Sequence, residues 1–174
     1  MNVLLGVTGG IAAYKAAEIA SACVKRGHEV RVVMTTNALQ FIGPATFEGL
    51  TGHRVMTDTF ADAMAHIELA KWADVFVIAP LTANTMAKLA MGLADDALTT
   101  IALAVPEGTP VLLAPAMNTA MWTHPATTRN RTWLEQLERY SFIEPTSKRL
   151  ACGDVGPGAL AEVEDIVQRV TEIR

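Results

Sequence analysis

The sequence predicts a three-layer α/β fold, a parallel sheet with helices on both faces. Three observations lead there. Short apolar runs at Val3 to Val7, Val30 to Met34, Val75 to Ala79 and Val111 to Ala114 alternate with helical patterns along the chain. Those runs are apolar almost throughout, with Arg31 the one charged residue among them, which marks strands covered on both faces. Of the 174 residues, 51% are apolar and 18% charged, enough for one domain with a sizeable core.

The elements follow in order. Val3 to Val7 reads as a buried strand that ends at Thr8-Gly9-Gly10. Ile11 to Arg26 carries helical spacing through Ile11, Tyr14, Ile19, Ala22 and Cys23, and Gly27-His28 stops it. Val30 to Met34 is the next strand, followed by Thr35-Thr36-Asn37 with turn and N-cap chemistry. This βαβ unit implies parallel strands joined by a right-handed crossover. Phe41 to Met56 is punctuated by Gly43-Pro44 and Thr51-Gly52 and holds a short helix near the ligand. Ile67 to Trp72 precedes the strand Val75 to Ala79, which Pro80 is expected to end. Thr82-Ala83-Asn84-Thr85 leads into a helix, Met86 to Met91, and Gly92-Leu93-Ala94-Asp95-Asp96 restarts one through Ala104. Val111 to Ala114 is the fourth clear strand, and Thr127 to Tyr140 an amphipathic helix. Phe142-Ile143 is a candidate last strand, and Glu162 to Ile173 a closing helix. The alternation is of the flavodoxin-like or Rossmann-like type.

Composition excludes several classes. A net charge of −4 offers no basic stripe for nucleic acid. Met1-Asn2 lead directly into Val3-Leu4-Leu5 without a cationic n-region or cleavage site, and no apolar run reaches a membrane span. Cys23 and Cys152 are expected to be free thiols in a reducing, cytoplasmic setting. No metal site is expected.

The residues that could carry chemistry gather at strand ends. Thr8-Gly9-Gly10-Ile11-Ala12 opens the first helix directly after the first strand, where unpaired amides and the helix dipole favour a phosphate. It matches neither G-x-G-x-x-G nor a Walker A loop, so a dinucleotide or ATP is poorly supported; a plain tight turn is the bland alternative. Thr35 and Thr36 could add hydroxyl donors. Thr82-Ala83-Asn84-Thr85 repeats the arrangement after the third strand, though alone it could be no more than a helix N-cap. Pro115-Ala116-Met117-Asn118-Thr119-Ala120-Met121-Trp122 puts Asn118 at the carboxyl end of the sheet, where open α/β folds bind ligands. Leu150-Ala151-Cys152-Gly153-Asp154, with Gly156 and Gly158, puts a thiol in a glycine-rich flap. An unperturbed thiol has a pKa of roughly 8.5 and donates protons weakly near neutrality, but a flap can bring it to a substrate. Met117, Met121 and Trp122 read as packing. His66 lies between apolar neighbours, where a satisfied structural role competes with a catalytic one, while His28, His53 and His124 sit beside turn residues and read as solvated.

In this order the segments resemble the flavin-dependent cysteine decarboxylases, in particular the branch that serves coenzyme A biosynthesis. The markers are Gly9-Gly10-Ile11-Ala12-Ala13-Tyr14-Lys15, His66-Ile67-Glu68-Leu69, Pro80-Leu81-Thr82-Ala83-Asn84-Thr85, Gly92-Leu93-Ala94-Asp95-Asp96, the Pro115 to Trp122 segment and Leu150 to Asp154. They span nearly the whole chain.

The resemblance implies FMN as cofactor, its phosphate on Gly9, Gly10 and Ile11 with Thr35 nearby. Phe41, Thr82, Ala83, Asn84, Thr85 and Ala116 would line the rest of the flavin site. It implies decarboxylation of 4′-phospho-N-pantothenoylcysteine to 4′-phosphopantetheine, by oxidation of the substrate to a thioaldehyde, loss of CO₂ and re-reduction of the enethiolate. Asn118 would hold the substrate carboxylate, Met117 and Ala151 would contact the substrate, Cys152 would donate the proton, and His66 would assist the oxidative half. The assembly implied is a homotrimer, or a dodecamer built from trimers, with His66 facing a neighbour's flavin. Residues 1–174 would form a single decarboxylase domain, free-standing or the N-terminal part of a bifunctional chain carrying the synthetase that makes the substrate.

Two departures from the family pattern stand out: Lys148-Arg149 before the cysteine, where glycine is common, and Gly158-Ala159, where Gly-Arg is common. The alternatives are a peptidyl-cysteine decarboxylase, which should lack the flap cysteine, and a non-catalytic regulatory binding protein, which tends to lose catalytic groups or gain an acidic tail.

Overall fold

Five strands, β1 (Asn2–Val7), β2 (Glu29–Met34), β3 (Val75–Leu81), β4 (Val111–Pro115) and β5 (Tyr140–Phe142), form one parallel sheet in the order β2-β1-β3-β4-β5. That order is the flavodoxin-like one, with the chain reversing direction of travel across the sheet between β1 and β3. The computed structural model describes residues 1–60, 64–149, 153 and 155–173.

The helices are α1 (Ala13–Lys25), α2 (Pro44–Thr51), α3 (Ala65–Trp72), α4 (Ala83–Met91), α5 (Ala97–Ala104), α6 (Thr119–Trp122), α7 (Pro125–Gln136) and α8 (Val163–Thr171). Side chains alternate across a strand, so β1 feeds two cores at once. Val3, Leu5 and Val7 join Ile19 of α1, Phe47 of α2 and Ile166 of α8 on one face. Leu4 joins Phe76, Leu98 and Ile101 of α5, and Leu134 of α7 on the other. Both faces are therefore dry, and this is why the strands read as nearly unbroken apolar runs.

Local chemistry sets the boundaries. Gly43 precedes Pro44 at the first position of α2, and Gly52 closes that helix in the left-handed conformation. Thr82 caps α4 by accepting the Thr85 amide, and Gly92 ends it. Asp96 and Thr99 form a reciprocal capping box at the start of α5.

The structure corrects four sequence-based boundaries. The first helix begins at Ala13, because residues 9–12 turn before the helical ladder starts. Pro80 lies inside β3 rather than ending it; the register shifts between Ile78 and Leu81, and this irregularity accommodates a residue without an amide donor. The helix expected over Thr127 to Tyr140 runs from Pro125 to Gln136, and Tyr140 opens β5. The segment read as a loop around residue 152 is flanked by strands β6 (Thr146–Arg149) and β7 (Val155–Ala159), paired antiparallel as a separate ribbon.

Of the histidines read as solvated, His124 is exposed and His53 partly so, though both are hydrogen-bonded, while His28 is partly buried. His124 caps α7 by accepting the Ala126 amide at Nδ1. His53 pairs with Glu29, and the Nε2 of His28 is buried. Burial, and then the cationic N-terminus and Arg26, push the His28 pKa down.

Candidate active site

The carboxyl ends of β1, β3 and β4 open into one cavity of about 770 Å³, within the size range of small-molecule sites. Thr8 builds the junction between β1 and β3. Its buried hydroxyl donates to the Pro80 carbonyl at 2.6 Å and accepts the Thr82 amide at 3.0 Å. This bridge fixes the turn after β1 against the N-terminus of α4.

Gly9 and Gly10 then turn the chain into α1. A Cβ on Gly9 would lie 2.4 Å from Cβ of Asn37, so only glycine lets this turn close on the segment after β2. The amides of Gly10, Ile11 and Ala12 have no acceptor among the described residues, and they sit at the start of a 13-residue helix. Such amides, with the helix dipole behind them, suit a phosphate. Thr35, nearly buried, stands at the neighbouring strand end with Thr36 and Asn37, all lining the cavity. Thr82, Ala83, Asn84 and Thr85 form the next stretch of wall, with Ala116 beside them.

Asn118 sits three residues past β4, and Met117 and Asn118 line the cavity. The Asn118 Oδ1 accepts the Ala120 amide at 2.7 Å and so caps α6. Its side chain is thereby held by a short helix that sequence patterning did not signal.

The ribbon closes this side. The Met117 amide donates to the Gly158 carbonyl at 2.8 Å, and Gly158 has φ of 125°. A Cβ there would stand 2.4 Å from the Met117 carbonyl oxygen, a separation no side chain tolerates. Ala151 and Cys152, both assigned from sequence, lie outside the described residues, in the segment between β6 and β7. Cys23 is buried in α1, and desolvation pushes its thiol up to about 11, which leaves it no nucleophilic role.

The cavity thus gathers Gly9, Gly10, Ile11, Thr35, the Thr82 to Thr85 turn, Ala116, Met117 and Asn118. Phe41 and His66 are not among its lining residues. Phe41 is exposed in the turn before α2, and His66 lies in the first turn of α3 with its Nδ1 buried and unpartnered among the described residues.

Sequence reading overlooked the charged lining: Lys15, Lys88, Asp95, Asp96 and Lys148. Spacing carried a signal for two of them, since Lys15 follows Ile11 and Lys88 follows Asn84 by one helical turn. Lys88 Nζ lies 2.7 Å from Asp95 and 3.1 Å from Asp96. Desolvation opposes its charge, but the two carboxylate hydrogen bonds prevail and its pKa is raised. Lys148 Nζ pairs with Glu162 at 2.8 Å, which raises the lysine pKa and lowers that of the carboxyl.

Among known proteins, the profile of the family described as Flavoprotein matches residues 1–174. The coenzyme A biosynthesis bifunctional protein CoaBC of Bacillus subtilis is 50% identical over 171 residues; the alignment covers 96% of this chain and 41% of that protein. The chain thus spans about two fifths of that relative's length. A probable phosphopantothenoylcysteine decarboxylase of Streptococcus mutans is 46% identical, with 98% of this chain and 97% of that protein covered. Among solved structures, a cysteine-to-serine variant of PPC decarboxylase complexed with pantothenoylaminoethenethiol superposes with a TM-score of 0.86 at 39% identity, over 98% of this chain and 96% of that one. The FMN binding protein AtHal3 gives 0.83 at 40% identity, over 98% and 95%.

Proposed function

Because the chain belongs to the flavoprotein family, we propose that it is an FMN-dependent decarboxylase that converts 4′-phospho-N-pantothenoylcysteine to 4′-phosphopantetheine in coenzyme A biosynthesis. The observation that carries the proposal is one cavity with turn amides free among the described residues on one wall and, on another, Asn118, next to the Met117 amide that the ribbon holds. Relatives named for this reaction, and a solved relative holding pantothenoylaminoethenethiol, supply the substrate class.

The cavity fits the cofactor. Gly9 allows the close turn, the amides of Gly10 and Ile11 can meet a phosphate, and Thr35 stands beside them. The Thr82 to Thr85 turn and Ala116 offer a wall for the flavin ring; Phe41, exposed and outside this cavity, would contribute to a flavin site only in an assembly. When bound, the flavin supplies the electron sink that an ordinary cysteine lacks, by accepting and returning a hydride.

The protein binds, orients and protonates. Asn118 offers its carboxamide to the substrate carboxylate and holds the scissile bond in place, with Met117 lining the cavity beside it; Ala151, the other substrate contact assigned from sequence, lies outside the described residues. A neutral amide suits this task, because it binds the carboxylate without the ionic hold that would oppose CO₂ departure. Cys152 holds at Sγ the proton that completes the product, arriving on the segment between β6 and β7. His66 serves the cavity of a second copy. Its buried Nδ1, unpartnered among the described residues, and the exposed apolar side chains of Ile11, Tyr14, Phe41 and Met64 favour an assembly of copies, a homotrimer or a dodecamer of trimers. The chain would act in the cytoplasm as a single domain, alone or ahead of a synthetase; no helix among the described residues is long and apolar enough to cross a membrane.

The test is reconstitution with FMN, followed by a choice of substrates. The reconstituted protein is expected to show a bound-flavin visible spectrum and to consume 4′-phosphopantothenoylcysteine in preference to a peptide ending in cysteine. Failure to bind FMN, or preference for the peptide, contradicts the proposal.

A further inference from the structure

We propose that Lys15 of α1 and Lys148 of β6 form an anion subsite on the ribbon side of the cavity, and that it takes the terminal phosphate of the substrate. This rests on the decarboxylase reading and supplies a binder for the one charged substrate group which that reading leaves without a partner.

Charge accounting within the cavity singles out this pair. Its charged lining residues are Lys15, Lys88, Asp95, Asp96 and Lys148. Lys88 is held by both aspartates, at 2.7 and 3.1 Å, so that group carries a surplus of negative charge and repels a phosphate. Lys15 and Lys148 carry the positive surplus. Their local counter-charge is Glu162, 2.8 Å from Lys148 Nζ and outside the lining. The Lys148 hydrogen bond, and after it the charges of Lys148 and Lys15, hold the Glu162 carboxyl below its usual range.

An exposed lysine–carboxylate pair is worth little, so a phosphate with several acceptor oxygens can share or displace Glu162. The backbone also puts the pair in a useful place. Lys148 pairs in register with Gly156 in β7, and Gly158 two residues on accepts the Met117 amide at 2.8 Å. A phosphate holder on the ribbon is therefore tied to the segment that carries Asn118. One end of an elongated substrate would be held by the lysines and the other by the amide.

The flavin also carries a phosphate, and the experiment separates the two sources. Flavin-loaded protein is titrated calorimetrically with 4′-phosphopantetheine and with pantetheine. The wild type is expected to prefer the phosphorylated compound by about tenfold or more, the worth of one or two charge-assisted hydrogen bonds. Lys15→Gln and Lys148→Gln should each erode that preference severalfold, and Glu162→Gln should enlarge it by releasing Lys148. Equal binding of the two compounds by the wild type overturns the proposal. So do lysine variants that lose affinity for FMN and keep the preference, because the pair would then hold the flavin phosphate. Turnover is measured separately: an intact preference without decarboxylation supports the anion subsite and strikes the decarboxylase reading alone.

Discussion

Asn118 serves two structures at once. Its Oδ1 caps α6 through the Ala120 amide, and its place on the cavity wall suits the carboxylate-holding role proposed for it. Asn118→Asp separates the two roles, because aspartate is an equally good cap but adds a negative charge where an anion must sit. We expect that variant to fold, to stay yellow with FMN, and to lose turnover by roughly a hundredfold, the cost of replacing a charge-assisted hydrogen bond by repulsion. Near-normal KM in steady-state assays would remove Asn118 from the carboxylate. At this scale the sequence was most legible where chemistry is backbone chemistry. The Gly9-Gly10 turn and the Thr82 to Thr85 turn could be read because glycine and threonine at strand ends have few other reasons to be there. Lys15, Lys88 and Lys148 were not legible as lining residues, since a lysine in a helix or strand is usually a solvated one and only the packed neighbours turn it inward.

The ribbon of β6 and β7 borders the site through Lys148, Gly158 and Ala159. It was invisible to pattern reading because Val155–Ala159 holds two glycines and a proline, residues depleted in strands. Its pairing is set instead by tertiary contact, above all the close approach of Gly158 to Met117. Gly158→Ala tests this directly. The positive φ and the clash with the Met117 carbonyl should each cost about 1–3 kcal/mol, borne by the ribbon rather than by the sheet. We expect turnover to fall at least about tenfold, with FMN affinity and the melting temperature of the main fold little changed. A variant that turns over normally would mean that the ribbon is not needed to present the segment between its strands. The parallel sheet was legible for the opposite reason. Burial on both faces leaves little alternation to misread; β1, β2 and β4 differ from the reading by one residue at one end, and the larger changes are at Pro80 and Tyr140.

For the whole molecule, the strand order explains why these residues meet. Reversal of the chain between β1 and β3 leaves a crevice at their carboxyl ends, and the turns after β1, β2, β3 and β4 all reach it. His66 and Phe41 do not line that cavity in the single chain; the proposed sharing of sites between copies would give them their assigned roles. The proposed assembly has resemblance as its only support in the sequence, because a surface that meets a second copy would look there like any exposed apolar residue. The most direct test of the central claim is the mass of the product formed when the FMN-reconstituted protein is incubated anaerobically with 4′-phosphopantothenoylcysteine. The account predicts a product lighter than the substrate by one CO₂ and no other atoms, which is 4′-phosphopantetheine. Unchanged substrate would contradict the decarboxylation, and a product lacking two further hydrogens would contradict the reductive half assigned to Cys152.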